Sequence, residues 1–527
     1  MTSVQNIAGR VRFVGTGPGD PGLLTKRAID AISVADLVVY DRNLPNQLLE
    51  AAQEHAGDKA VFTVLDTATG ELVKDLITTA REGRNVARLV SAEPYPNSTV
   101  TEEITEVSAT EVPVEVIPGI GYSEAVASYA GMPPSHGRSL IDVDDPTRLE
   151  PEKLSAWMNA GTVMFTCDVS NLSGLRDQLL LAGADVATPV SVTGDVTGET
   201  QYTTSSTIDT FVEAALGFAG RLVITVGDGV DRHPSLGWWE NRPLYGWKVL
   251  IPRTKEQAGE MSKKLRAYGA IPCEVPTIAV EPPRTPAQME RAIKGLVDGR
   301  YAWIVFTSAN AVKAIWEKFG EHGLDARAFG GIKIACVGEA TAAKVRSFGI
   351  EPELLPSGQQ SSEGLLADFP PHDNVLDPVS RVLLPRADIA TEVLSAGLQE
   401  RGWEVDDVTA YRTVRASPPA AEIRDAIKSG GFDAVLFTSS STVRNLVGIA
   451  GKPHARTVVS VIGPHTADTA TEFGLRVDAK PERASVPELV EALAEYAVDL
   501  KKRMTEAPVK QRRGAKVQGP TALRFRS

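Results

Sequence analysis

The chain has 527 residues, 43% of them apolar and 23% charged, with a formal net charge of −12. That length exceeds a single hydrophobic core and predicts three or four folding units, and no apolar run approaches the roughly 18 residues that a membrane-spanning helix needs. Residues 501–527 carry nine Lys/Arg against one Glu, which leaves 46 basic and 66 acidic groups over residues 1–500, so the body is expected to repel nucleic acid and anionic membrane.

The N-terminus, MTSVQNIAGRVRFVG, has neither a charged segment nor an apolar one of the secretory kind, and the cytoplasm is the expected compartment. Val11 to Val14 read as a strand that runs into the Gly/Pro loop of GTGPGDPGLL, followed by a helix and a strand in LTKRAIDAISVADLVVYD. Further strands are predicted at 85–90, 113–119, 161–167, 188–194 and 221–229, alternating with helices, which implies an α/β unit. The aromatic and Pro/Gly-rich segment at 235–247 closes this series and sets a boundary near residue 246.

Beyond that boundary the chain repeats itself. KVLIPRTKEQAGEMSKKLRAYGA (248–270) is answered by RVLLPRADIATEVLSAGLQERGW (381–403). VFTSANAV (305–312) is answered by LFTSSSTV (436–443), and IACVGEATAAKVRSFGI (334–350) by VSVIGPHTADTATEFGL (459–475). The order is kept and the offsets are 133, 131 and 125 residues, so one αβ unit occurs twice and two similar lobes are predicted. The proline pairs in VEPPRTP (280–286) and RASPPAAE (415–422) end strands and mark crossings between lobes. Two crossings assign 247–280 plus 412–500 to lobe one and 281–411 to lobe two. Residues 501–527 are expected to form a basic, disordered tail, with docking to a polyanion as the alternative.

Cys167, Cys273 and Cys336 form no CxxC pair and the seven histidines are scattered, so neither a disulfide framework nor a metal site is predicted. No Walker lysine, HExxH or nucleophile–base pair stands out in the repeated half. Each FTS motif instead follows a strand and opens a helix, which puts Ser308, Asn310, Ser439 and Ser440 at helix N-termini. The VGEAT and IGPHT turns repeat the arrangement with Gly338, Thr341, Gly463 and Thr466. Four such termini in matched pairs predict a polyanion site, although each alone reads more readily as an ordinary cap. Arg253 and Arg386, at the repeated PR positions, pair either with ligand carboxylates or with surface acids. Tyr411, in the run leading to the second crossing, is either a packed strand tyrosine or a phenol able to give a proton to a leaving hydroxyl.

Taken in order, the two FTS motifs, the two VG/IG-x-x-T turns, SSEGLL (361–366) with SVPELV (485–490), and Tyr411 in a Y-R-T context resemble uroporphyrinogen-III synthase over about 247–500. The resemblance implies two α/β lobes joined by a two-stranded connection, the linear tetrapyrrole hydroxymethylbilane as ligand, and no cofactor. It also implies a reaction in which ring A loses its hydroxyl, ring D attacks through its substituted carbon, and re-closure inverts ring D. Tyr411 matches the tyrosine proposed in that family to assist hydroxyl departure. Because each pyrrole bears two carboxylates and the protein is acidic, binding is expected to rest on local amides and hydroxyls.

Residues 10–246 resemble uroporphyrinogen-III C-methyltransferase, an S-adenosylmethionine-dependent tetrapyrrole methylase, in VGTGPGDPGLLT (14–25), ADLVVYDRNL (35–44), VEVIPGI (114–120), YAGMPPSH (129–136), GTVMF (161–165) and the W-x-x-R-P-L ending (239–244). The resemblance places Pro18, Asp41, Gly121, Tyr122 and Cys167 at the donor site. Three departures argue against donor binding. SAEPYPNSTV (91–100) stands where the family has GGDPFxFGRG, the Gly-Lys-Arg after the third strand is missing, and Cys167 replaces a methionine. The expected protein is therefore a synthase fused to a degenerate methylase domain. The alternatives are a bifunctional enzyme that also methylates its product, and a non-catalytic tetrapyrrole-binding scaffold. Neighbouring pathway enzymes and dimerisation through the methylase half are the partner expectations.

Overall fold

A computed structural model describes residues 9–506 apart from 58, 66–68, 135–136, 254 and 390. The chain divides into two compact units. The first is residues 1–249 with 260–272 and 487–527, and the second is 250–259 with 273–486.

The first unit opens with five strands, β1 (Val11–Gly15), β2 (Leu37–Asp41), β3 (Val61–Leu65), β4 (Val86–Val90) and β5 (Val114–Ile117). They form a parallel sheet in the order β3-β2-β4-β1-β5. A parallel sheet is covered on both faces by its crossover helices, which is why VRFVG and VARLV are buried almost throughout. A second, mixed sheet follows, from β6 (Arg138–Val143), β7 (Thr162–Asp168), β8 (Pro189–Gly194), β9 (Tyr202–Thr207) and β10 (Arg221–Val226), in the order β6-β7-β10-β8-β9. Only β6 and β7 run parallel there, and the other pairs are antiparallel.

The remaining strands are β11 (Lys248–Ile251), β12 (Ile271–Glu274), β13 (Ile278–Glu281), β14 (Trp303–Phe306), β15 (Lys333–Cys336), β16 (Arg381–Ala387), β17 (Glu404–Arg415), β18 (Ala434–Phe437) and β19 (Val458–Val461). They form two sheets, β12-β11-β18-β19 and β13-β17-β16-β14-β15. The three repeated segments supply β11, β18 and β19 to one sheet and β16, β14 and β15 to the other, so each sheet holds one copy of every repeat. The antiparallel pair β13 and β17 lies wholly in the second sheet, with Ile278 opposite Arg415. β13 stops directly before its proline pair, since proline cannot donate to a ladder, and β17 ends two residues short of its own.

One face of the second sheet is packed with Ile304, Phe306, Ile334, Cys336 and Leu383 under the helices Pro286–Val297 and Ala309–Glu321, and the other with Val305, Ala335, Val382 and Leu384. Residues 501–506, expected to belong to a disordered tail, instead close the helix Val486–Glu506. The tail from 507 onward lies outside the described residues.

Candidate functional site

In the second unit the chemistry gathers at the C-terminal ends of β14, β15, β18 and β19. Ser308 follows β14 in extended conformation and caps the helix Ala309–Glu321, its Oγ accepting from Ala311 N–H at 3.2 Å. A serine suits this place because its short hydroxyl satisfies a backbone donor that the helix leaves unpaired. Beside it, Val337 N–H donates to Phe306 O at 3.0 Å, which brings Gly338 next to the first turn. The following helix, Glu339–Arg346, is capped from outside by Gln360, whose Oε1 accepts from Glu339 N–H at 3.1 Å. A Cβ at Gly338 would come within 2.9 Å of that oxygen, so the glycine makes room for the cap. Thr341 is buried one turn in.

The matched pair repeats the plan with different partners. Ser439 Oγ accepts from Thr442 N–H while Thr442 Oγ1 accepts from Ser439 N–H, both at 3.3 Å, forming a capping box. Ser440 Oγ donates to His465 O at 2.9 Å and accepts from Thr469 Oγ1, tying the helix Ser440–Ala450 to the helix Pro464–Glu472 that Gly463 opens and on which Thr466 is buried. Ser439 and Ser440 are therefore engaged within the fold. Asn310, half-buried, has no hydrogen bond to its side chain among the described residues.

Tyr411 reaches the first pair through an irregularity in β17. Arg386 lies opposite Thr409, but Ala387 lies opposite Tyr411, so Ala410 is an extra residue and forms a β-bulge. Without the bulge, Ala410 and Tyr411 would point to opposite faces; with it, both join Val408 in the same core. The tyrosine is 7% exposed. Its ring is packed and its hydroxyl ends 2.9 Å from Ser308 Oγ, at the N-terminus of the helix Ala309–Glu321. The ring is thus that of a packed strand tyrosine, with its hydroxyl on the cap and not in water.

The two repeated arginines differ. Arg386, 8% exposed, is bound to Asp407 through Nε and Nη2, to Thr391 O, and to Glu392 at 2.9 Å. Burial pulls its pKa down, but Asp407 and Glu392 more than offset this and the net shift is upward. Arg386 is consequently a structural residue here, not one free for a ligand. Arg253, half-buried at the end of β11, has no ion-pair partner among the described residues, and burial alone pulls its pKa below the ordinary arginine value.

The first unit contains a cleft of about 850 Å³ lined by Asp41, Gly121 and Tyr122 together with Ser91, Ala92, Glu93, Glu124, Asp142, Asp144, Thr166, Asp168 and Arg221. Six carboxylates line it, of which Asp142 and Asp144 pair with Arg221, Asp41 with Arg88 and Glu124 with Arg138, so that acids outnumber their cationic partners. Glu124 reaches back over Gly121, where a Cβ would touch its Oε2 and lie 3.8 Å from the Glu93 carboxyl carbon. Burial, and then the neighbouring Glu124, raise the Glu93 pKa. Asp41 accepts from Arg88 Nη2 at 2.8 Å, and Arg88, 2% exposed, also bonds buried Glu103 at 3.1 Å.

Cys167 is not at this cleft. It is fully buried on β7 among Val143, Leu172 and Leu222, and burial pushes its thiol up to about 12. Strand alternation places Thr166, its neighbour, on the cleft side instead. Pro18 does not line the cleft either. It sits in a loop pinned by the Gly17–Ala92 bridge and by Asp20, which donates through N–H to Thr197 Oγ1 and accepts from the Tyr129 hydroxyl. Arg88, Glu124, Asp142, Asp168 and Arg221 escaped the sequence reading because they share no motif, and only the sheets bring them together.

Comparison with known proteins assigns each half. The uroporphyrinogen-III synthase family model (HemD) matches residues 259–491, and the tetrapyrrole (corrin/porphyrin) methylase model matches residues 10–212. The chain is 28% identical over 505 residues to the porphyrin biosynthesis protein HemD of Ruminiclostridium josui, covering 92% of this chain and 98% of that one. It is 30% identical over 247 residues to the uroporphyrinogen-III C-methyltransferase of Bacillus subtilis, covering 44% of this chain and 95% of the relative. Among solved structures, a mutant uroporphyrinogen III synthase of Thermus thermophilus is 18% identical and covers 48% of this chain and 100% of that chain, with a TM-score of 0.33. The chain belongs to the tetrapyrrole methylase family over its N-terminal half and to the uroporphyrinogen-III synthase family over its C-terminal half.

Proposed function

We propose that the chain cyclises hydroxymethylbilane to uroporphyrinogen III with inversion of ring D, and that its methylase domain is catalytically silent. The observation that carries the first part is the Tyr411 hydroxyl, delivered by a bulge to a helix N-terminus that offers hydrogen-bond donors to anions. Tyr411 gives its proton to the departing hydroxyl. First-turn amides of the helices after Ser308, Gly338, Ser439 and Gly463 that no cap already engages, together with the Arg253 guanidinium and the Asn310 amide, hold substrate carboxylates and coil the bilane so that ring D meets ring A. No cofactor enters this step.

Turnover of freshly prepared hydroxymethylbilane tests the reading. The expected product is the III isomer, and accumulation of the uninverted I isomer at the spontaneous rate would refute it. Tyr411→Phe should lower kcat far more than it raises KM; equal effects on both would remove the proton-donor role.

The second part rests on the six carboxylates of the cleft in the first unit. A product bearing eight carboxylates is repelled there, and Glu124 with Glu93 occupies the space over Gly121 that the resemblance assigns to the methyl donor. Calorimetric titration with S-adenosylmethionine should give no micromolar binding; a micromolar Kd would favour the bifunctional enzyme.

A further inference from the structure

We propose that Ser308 is a positioning residue for Tyr411, holding the phenol in line and supplying the hydrogen bond that steadies the phenolate once its proton has left. The inference rests on the reading of Tyr411 as proton donor and adds to it the group through which the fold acts on that donor.

The geometry is specific to one of the two repeats. Ser308 Oγ already accepts from Ala311 N–H at 3.2 Å, which leaves its own proton available to Tyr411 Oη, 2.9 Å away. Ser439, the matching residue in the other copy, is 2.9 Å from Ser441 Oγ, exchanges both capping bonds with Thr442, and meets no phenol among the described residues. Duplication thus supplied two serine caps, and the bulge at Ala410 turned one into a seat for tyrosine.

In the chemical step the C–O bond of the bilane's hydroxymethyl group breaks. The Tyr411 proton joins the departing hydroxyl to give water, and the ring nitrogen's lone pair forms the new double bond of the azafulvenium. The phenolate recovers a proton from that ring nitrogen. While the charge stands on Tyr411, the Ser308 O–H points at it, and a hydrogen bond to an ionised acceptor is stronger than one to a neutral phenol. The Ala311 N–H that polarises Ser308 belongs to the positive end of the helix, so stabilisation grows as the charge develops.

The test compares kcat and KM for hydroxymethylbilane in the full-length protein. Ser308→Ala should lower kcat about 10- to 100-fold and leave KM within about twofold, as expected for an interaction made only in the transition state. Ser308→Asp keeps an oxygen to cap the helix but has no proton to give, so its kcat should fall at least as far, while Ser308→Thr should restore most of the turnover. Combined with Tyr411→Phe, Ser308→Ala should cost nothing further, because the group it serves is gone. Ser308→Asp with the turnover of the unsubstituted enzyme, or an equal Ser308→Ala loss in the Tyr411→Phe background, would reduce Ser308 to a helix cap and overturn the proposal. Full kcat in Tyr411→Phe alone would instead overturn the reading of Tyr411, whatever the serine variants do.

Discussion

The two arginines that the sequence makes equivalent should separate cleanly under mutation. Arg386→Ala removes a guanidinium with a pair of contacts to Asp407, one to Thr391 O and one to Glu392. Glu392 is largely exposed and contributes little, whereas Asp407, with a side chain 29% exposed, is left with a carboxylate turned into the space the guanidinium filled. Losing charge-assisted bonds of this kind costs about 2–4 kcal/mol. In a domain of this size that lowers the midpoint of the corresponding thermal transition by roughly 5–15 °C. Arg253→Ala breaks no ion pair among the described residues, so its transition should move by less than about 2 °C, as for a substitution away from any stabilising partner. If its guanidinium meets a substrate carboxylate, kcat/KM should fall by about ten- to a hundredfold, the worth of one charged hydrogen bond. Calorimetric scans and steady-state assays on both variants decide the matter. An Arg386→Ala protein that melts like the parent and loses kcat/KM as Arg253→Ala does would show that the repeats kept equivalent arginines.

Further outcomes follow from the methylase-like unit. Ala92 has φ +57, the left-handed region that favours glycine, and it stands where the family motif has its second glycine. Ala92→Gly should therefore raise stability by about 0.5–1 kcal/mol, the relief of strain less the extra chain entropy of glycine; a destabilised variant in urea unfolding would count against that account. Glu93→Gln should be more heat-stable than the parent at neutral pH. The folded-state pKa of Glu93 is raised, so its favourable contribution is complete below the ordinary glutamate pKa and is lost as pH rises through the raised value. The gap in melting temperature between the two proteins should open with rising pH and close in acid, and a gap that is constant with pH would contradict the assignment.

The fold was largely legible. Alternating strand and helix signals, the strand series that ends before residue 247 and the threefold internal match predicted α/β architecture, because these features are local and periodic. The tail was read less well. Lys501 to Glu506 looked like the start of a solvated end by charge, yet they continue a helix whose Leu489, Val490, Leu493, Ala494 and Ala497 are buried, so packing upstream carries the helix past its apolar face.

Residue types and their local setting were enough to place Ser308 and Ser439 as caps, since an N-cap depends only on a hydroxyl and on amides two or three positions along. They were also enough to nominate Tyr411. What they did not determine is which partners each member of a matched pair meets in the fold. Arg253 and Arg386 sit in the same PR context, but only the pairing of β16 with β17 brings Asp407 to one of them. Ser308 and Ser439 share a motif, but only a single inserted residue more than a hundred positions away brings a phenol to the first. Cys167 and Thr166 exchange core and cleft by strand parity alone. Local sequence sets the character of a side chain, whereas its charge state, partner and direction depend on residues distant in the chain, whose meeting is decided by register, and register is a property of the packed sheet.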